Sequence, residues 1–291
     1  LNTREDQSGP PPGEGPMIYI IGAGLFGAVA RDLLRLHGIE CRTIDDGRPL
    51  SGSAPAGCLT KPSWLSSIPK PEQEAAIELL TQLYGVERIP LRLLGGLRTE
   101  TILHFPPSRI LRPPDIAVEV HWVNPYSGDL KLFTTADRTS HYLQGDTILV
   151  AAGVWSKELL PEHFEGVPLV GLQGSSQRYR GSLPEARLHV WAPYKQSVAF
   201  NIEPGVVWFG AGTALKPESW TGKHVDRALR HAESLGLYPS GLIGTQVGLR
   251  PYVRGQVGWF RQAGARCWVT TGGAKNGVVL AAVQARQFLQ A

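Results

Sequence analysis

Sulfur is scarce in this 291-residue chain, which has three cysteines and a single methionine. Cys41, Cys58 and Cys267 are too few and too scattered for a disulfide framework or a metal cluster. An odd, sparse count suits a reducing, cytoplasmic compartment. The eight histidines show no zinc-type spacing, so no metal is expected. No apolar run approaches the ~18 residues of a membrane span, and no membrane partner is expected. The polar N-terminus lacks the apolar segment of a secretory signal. Hydrophobic residues at 42% against 19% charged exclude a disordered chain and fit a folded one with a large core.

The first sixteen residues are rich in proline and glycine and carry no periodicity. The single methionine, Met17, stands directly before the first apolar run. Residues 1–16 are therefore expected to be a disordered leader or an expression remnant. This segment sets Arg4 against Glu5, Asp6 and Glu14, a net of −2, and the whole chain is +4, so the body carries +6. That moderately basic body allows an anionic substrate or partner without requiring one.

What is present begins at Ile18. The stretch Ile18-Tyr19-Ile20-Ile21-Gly22-Ala23-Gly24-Leu25-Phe26-Gly27 is an apolar strand running into a glycine triplet and a helical pattern. This is the Gly-x-Gly-x-x-Gly fingerprint in its strand-then-helix context. Gly22 allows the tight turn, Gly24 lets a pyrophosphate approach the backbone, and Gly27 lets helix and strand pack closely. The helix N-terminus offers free N–H donors to phosphate. Asp45 ends a second apolar segment 18 residues after the third glycine, where an acid that binds a ribose hydroxyl is expected, with Asp46 beside it.

Further along, helical spacing predicts helices over 25–36, 72–84, about 223–235 and 277–289. Pro71 and Gly85 bracket the second of these in the expected sense. Parallel strands are predicted at 17–21, 41–44, 147–152 and 267–271. Short alternating runs broken by prolines over 89–134, with 187–191 and 206–210, predict antiparallel sheet. Three expected units follow: the leader 1–16; a nucleotide-binding domain from 17–85, 140–165 and 245–291; and a substrate domain from 86–139 and 166–244.

Six segments carry a resemblance. Beyond the fingerprint with Asp45, they are Ser53-Ala54-Pro55-Ala56-Gly57-Cys58-Leu59, Ala151-Ala152-Gly153-Val154-Trp155-Ser156, Val207-Trp208-Phe209-Gly210-Ala211-Gly212-Thr213, Gly248-Leu249-Arg250-Pro251, and Gly272-Gly273-Ala274-Lys275-Asn276-Gly277-Val278. In this order and spacing the chain resembles the D-amino-acid oxidase superfamily of FAD enzymes, most of all glycine oxidase and related amine oxidases. The resemblance spans most of residues 17–291. It implies an α/β fold with a Rossmann-type, glutathione-reductase-like FAD-binding domain and an inserted antiparallel sheet domain, here reduced around 86–140.

The resemblance also implies non-covalent FAD held by Gly22, Gly24, Leu25, Phe26, Gly27, Asp45, Asp46, Ser53, Gly57, Cys58, Leu59, Ala152, Gly153, Trp155, Arg250, Gly273, Lys275, Asn276, Gly277 and Val278. Arg250 would clamp the substrate carboxylate, since a planar guanidinium suits bidentate binding. Lys61 and Lys275 would stabilise superoxide as reduced flavin meets oxygen. Trp64, Trp122, Trp191 and Trp208 are candidates to line the pocket. The expected activity is oxidation of the Cα–N bond of a glycine-like amino acid or amine. Two alternatives stay open: FAD-dependent oxidase or lyase action on a glycyl group attached to a modified thymine in bacteriophage DNA, and a non-catalytic flavin-binding partner or maturation protein. The basic groups Arg98, Arg109, Arg112, Arg178 and Arg180 would meet phosphates in the DNA case.

Overall fold

The computed structural model describes residues 17–48, 51–53, 56–94, 99–134, 139–192, 195–214, 229–273 and 276–291. The leader 1–16, Ala54, Pro55, Arg98, Lys275 and the first part, 223–228, of the helix expected over 223–235 lie outside these residues.

A six-stranded sheet forms one half of the molecule. Its order is β16 (Trp259–Gly264), β17 (Cys267–Thr271), β10 (Thr147–Val150), β1 (Ile18–Ile21), β2 (Cys41–Asp45) and β6 (Ile116–Ala117). All neighbours pair in parallel except β16 with β17. The central strands are apolar on both faces because both faces are covered. On one side Ile20 and Leu149 pack against helix α1 (Leu25–Leu36), helix α2 (Lys70–Tyr84) and the last helix (Gly277–Gln290). On the other side Tyr19, Ile21, Ile148 and Val150 meet Val120, Val123, Leu130 and Leu132 of a three-stranded antiparallel sheet. That sheet runs β7 (Glu119–Val123), β8 (Asp129–Thr134) and β9 (Thr139–Gln144).

The helix boundaries follow local chemistry. Helix α1 starts at the glycine turn and ends before Gly38, whose φ of 71° closes the helix. Helix α2 carries Pro71 in its first turn and stops at Gly85, also at φ 71°. Its observed start, Lys70, precedes the expected one by two residues. The change of composition at residue 86 groups 86–139 with the antiparallel domain, but β7–β9 share their core with the parallel sheet. Their inward residues, Val120, Leu130 and Leu132, find an apolar partner there.

The second half is an eight-stranded sheet. Its order is β15 (Leu242–Val253), β11 (Leu169–Arg180), β14 (Val206–Ala214), β13 (Lys195–Glu203), β12 (Ala186–Ala192), β4 (Glu87–Leu94), β5 (Thr99–His104) and β3 (Leu59–Thr60). Pairing is antiparallel throughout except β12 with β4. One face buries Tyr179, Val207 and Phe209 against Ala232, Leu235 and Leu237. The opposite face buries Leu91, Ile102, Leu188, Phe200 and Trp208, with Leu59 and Trp64 from the 56–64 segment packed on it. Each such side chain contributes about 1.5–3 kcal/mol relative to exposure. The two halves therefore meet along the face that carries Trp208.

Candidate functional site

The glycine turn has the geometry its sequence demands. Gly22 sits at φ 106°, and a Cβ there would lie 2.5 Å from the Ala151 carbonyl oxygen. A Cβ on Gly27 would collide with the Gly22 carbonyl. Both contacts are to backbone, so only glycine fits. At the end of β2, Asp45 accepts the Ala23 N–H at 2.6 Å and the Gly47 N–H at 2.7 Å. Asp46 instead pairs with Arg48, Nε to Oδ2 2.7 Å. Arg48 also bridges Glu119 and Glu158 and lies 5.9 Å from the Trp155 ring centroid. Of the two acids, Asp45 is the one that reaches the glycine turn.

Helix α1 opens directly onto this turn. Its Leu25 N–H donates to Ser53 Oγ at 2.9 Å. Among the described residues nothing accepts the Phe26 or Gly27 N–H. Those two donors and the helix dipole suit an anion. The segment 272–277 closes the same end. A Cβ on Gly273 would meet the Phe26 ring at 2.7 Å, and one on Gly277 would lie 3.8 Å from Leu25 Cδ1. Asn276 donates through Nδ2 to the Trp64 carbonyl at 3.1 Å, and Val278 is buried. Gly153 is held by Thr271, whose hydroxyl donates to its carbonyl at 3.1 Å, and Ala152 precedes it at the end of β10. Four other stretches, at Asp45, Ser53, Ala151 and 273–277, thus come up to the glycine turn and the helix N-terminus.

The loop at 51–59 joins this cradle to the eight-stranded sheet. Ser51 forms a single parallel bridge with Leu249 of β15. A Cβ on Gly52 would lie 2.5 Å from the Leu249 carbonyl oxygen and 3.2 Å from Arg250 Cα. Cys58 adopts φ 45°, and burial pushes its thiol up to about 12, so it is protonated at neutral pH. A Cβ on Gly57 would meet the Trp208 indole at 3.0 Å. Trp208 is accordingly a wall against the loop.

Arg250 lies where these parts meet. Opposite Leu172 in the ladder, its guanidinium folds over the neighbouring Gly174, where a Cβ would lie 2.8 Å from Nε and 3.0 Å from Cζ. Burial lowers its pKa below the ordinary arginine value. Among the described residues it has neither a carboxylate partner nor a hydrogen bond. A guanidinium in this setting calls for an anionic ligand.

Other expected residues stand elsewhere. Lys61 is buried and pairs with Glu100 on β5 at 2.5 Å, 5.4 Å from the Trp64 ring centroid. Its charge is thus already matched. Trp122 is exposed on the three-stranded sheet, away from the loop. Arg109 donates to the Tyr84 carbonyl. Gly174 and Ser176 entered no sequence expectation. The signal was the alternation Gly174-x-Ser176-x-Arg178, which places three unusual strand residues on one face.

Comparison with protein families and with curated proteins finds no match. Solved structures do match. Glycine oxidase of Bacillus cereus aligns over 94% of this chain and 93% of its own, at TM-score 0.66 and 13% identity. Iminodiacetate oxidase of Chelativorans sp. aligns over 92% and 93%, at 0.64 and 16%. The glycerol-3-phosphate dehydrogenase of Bacillus halodurans, complexed with FAD, aligns over 95% of this chain and 65% of its own, at 0.65 and 14%. The chain shares with these structures a mixed α/β fold of parallel and antiparallel sheets.

Proposed function

We propose that this chain is an FAD-dependent oxidoreductase that oxidises the Cα–N bond of a glycine-like amino acid or amine. The observation that carries the reading is Arg250. It is a guanidinium without an acid partner, set over Gly174 and one residue from the bridge to the cofactor loop.

The chain's residues fit FAD. Gly22, Gly24 and Gly27 give the pyrophosphate backbone access, Phe26 and Gly27 leave N–H donors at the helix end, and Asp45 reaches the ribose side. Gly273, Asn276, Gly277 and Val278 close the far side, with Lys275 in the same segment. Binding is non-covalent, in keeping with the buried, protonated Cys58. When bound, FAD supplies the two-electron acceptor that no side chain provides.

The protein's own contribution is positioning. Arg250 holds the carboxylate through two parallel hydrogen bonds and so fixes the direction of the Cα–H. Trp208, packed on Gly57, excludes water from one side. The substrate amine must be neutral to react, and the imine formed is hydrolysed by water. On this reading the six-stranded sheet with its helices is the cofactor half, and the eight-stranded sheet is the substrate half.

The test is a screen of glycine, N-alkylglycines and other small amino acids for anaerobic bleaching of the flavin absorbance. Bleaching by a glycine-type amine and by no simple alkylamine is expected. A colourless protein, or one that binds a nicotinamide dinucleotide instead, overturns the reading.

A further inference from the structure

The face that carries Arg250 continues beyond it. In the β11–β15 ladder Leu172 faces Arg250, Gly174 faces Gly248, Ser176 faces Gln246 and Arg178 faces Gly244. Directly opposed residues share a face, as do alternate residues along a strand. Arg250, Gly174, Ser176 and Arg178 therefore lie in one row. On the other side of β11, Gly210 faces Ser176 and Trp208 faces Arg178. Arg180 follows at the exposed end.

This row is cationic and has no counterion of its own. Strands β15, β11 and β14 contain no aspartate or glutamate. Arg178 is partly buried, its Nε is shielded from solvent without an acceptor, and it makes no ion pair among the described residues. Ser176 is 1% exposed, and its hydroxyl also lacks a partner. The first acid across the sheet from β11 through β14 is Glu203 of β13, level with Val206 and two strands from Arg180. A guanidinium N–H shielded from solvent is rarely left without an acceptor, because its desolvation is then uncompensated. Arg250 accounts for one missing anion. Arg178 asks for another.

We propose that the substrate carries a second anionic group, distal to its carboxylate, and that Arg178 binds it with Ser176 lining the path between. The proposal rests on the reading of Arg250 as the carboxylate clamp and names the substrate class: an amino acid extended by a chain that ends in a carboxylate or phosphate. From Gly174, beneath the Arg250 guanidinium, to Arg178 is four residues, about 13 Å of strand. A two-carbon diacid is too short for that span, and a tail of several methylenes reaches it.

The experiment uses the flavin-loaded protein and a series of glycines substituted on nitrogen by ω-carboxyalkyl or ω-phosphoalkyl chains of rising length. Each is paired with the N-alkylglycine of equal length. Affinity is read by calorimetry and reactivity by anaerobic flavin reduction. The charged tails should bind about tenfold tighter than their neutral counterparts once long enough, as for one hydrogen bond to a charged group. Arg178→Gln should erase that advantage and leave the N-alkylglycines within about twofold. Arg178→Lys should retain part of it. Whether carboxylate or phosphate gains more identifies the tail. Equal affinity for charged and neutral tails at every length overturns the second anion site while leaving the amino-acid reading intact. So does an Arg178→Gln loss shared equally by both series. Failure of every glycine, charged or neutral, to bind overturns the clamp and this proposal together.

Discussion

Gly174 offers a way to move the Arg250 guanidinium without removing it. An alanine there would place a methyl carbon 2.8 Å from Nε and 3.0 Å from both Cζ and Nη2. Comfortable packing needs about 3.5 Å, so the guanidinium must retreat by about 0.7 Å. It is the far end of a flexible side chain and can do so cheaply. The backbone at 174 is not left-handed, and alanine adopts it without strain. Restricting the unfolded chain should even add about 0.4–1 kcal/mol of stability. The cost falls on the ligand. Losing one of two charge-assisted hydrogen bonds is worth about 1.5 kcal/mol, close to tenfold in affinity. In stopped-flow anaerobic reduction, Gly174→Ala should need about tenfold more substrate for half-maximal rate. Its flavin content should be unchanged and its melting temperature no lower. An unchanged substrate requirement would mean that no ligand meets the guanidinium where it now lies. Loss of flavin would make the contact a cofactor contact.

Three further outcomes are expected. Asp45→Ala should weaken FAD binding by about 1.5–3 kcal/mol in a flavin-fluorescence titration, because the acid also organises the Ala23 and Gly47 N–H groups; unaltered affinity would take the ribose away from Asp45. Arg250→Lys should keep the protein yellow yet raise the substrate requirement, since charge survives and the bidentate fork does not. His104 is fully buried with its Nδ1 2.8 Å from Glu87, and burial, only partly opposed by that carboxylate, holds its pKa below the ordinary histidine value. The unfolded chain then takes up the proton first, so stability should fall as pH drops through about 6.5; His104→Leu should flatten that part of a melting-temperature profile, and an unchanged slope would exclude His104.

The geometry of the glycine turn was legible because its determinants are local. Gly22, Gly24, Gly27 and Asp45 lie within one strand–helix–strand unit, and their spacing follows from the path of that unit. Helix α1 could be bounded from sequence for the same reason, by the glycine turn before it and Gly38 after. Other features depend on register between distant segments. Arg250 rests on Gly174 because β15 pairs with β11, 76 residues earlier, and no spacing announces that pairing. Ser53 meets the first turn of α1 across 28 residues. Lys61 looked free in the sequence, and only the β3–β5 pairing brings Glu100 to it. The strands β7 and β8 read correctly as antiparallel, while β9 was not expected, and which sheet they cover was decided by the fit of Val120, Leu130 and Leu132 against the parallel sheet.

The bridge between Ser51 and Leu249 makes β15 a ruler. The strand is anchored to the 51–59 loop at one point and aligned with β11 along its length. Inserting or deleting one residue in its outer half would turn the residues beyond the change to the opposite face relative to Arg250. Length is therefore constrained here much more tightly than composition. Exchanges at Gly244 or Gln246, which face Arg178 and Ser176, leave the count intact. On the proposed reading, such a strand can acquire a new substrate preference by changing side chains along its outer half while the distance from Arg250 to the 51–59 loop stays constant.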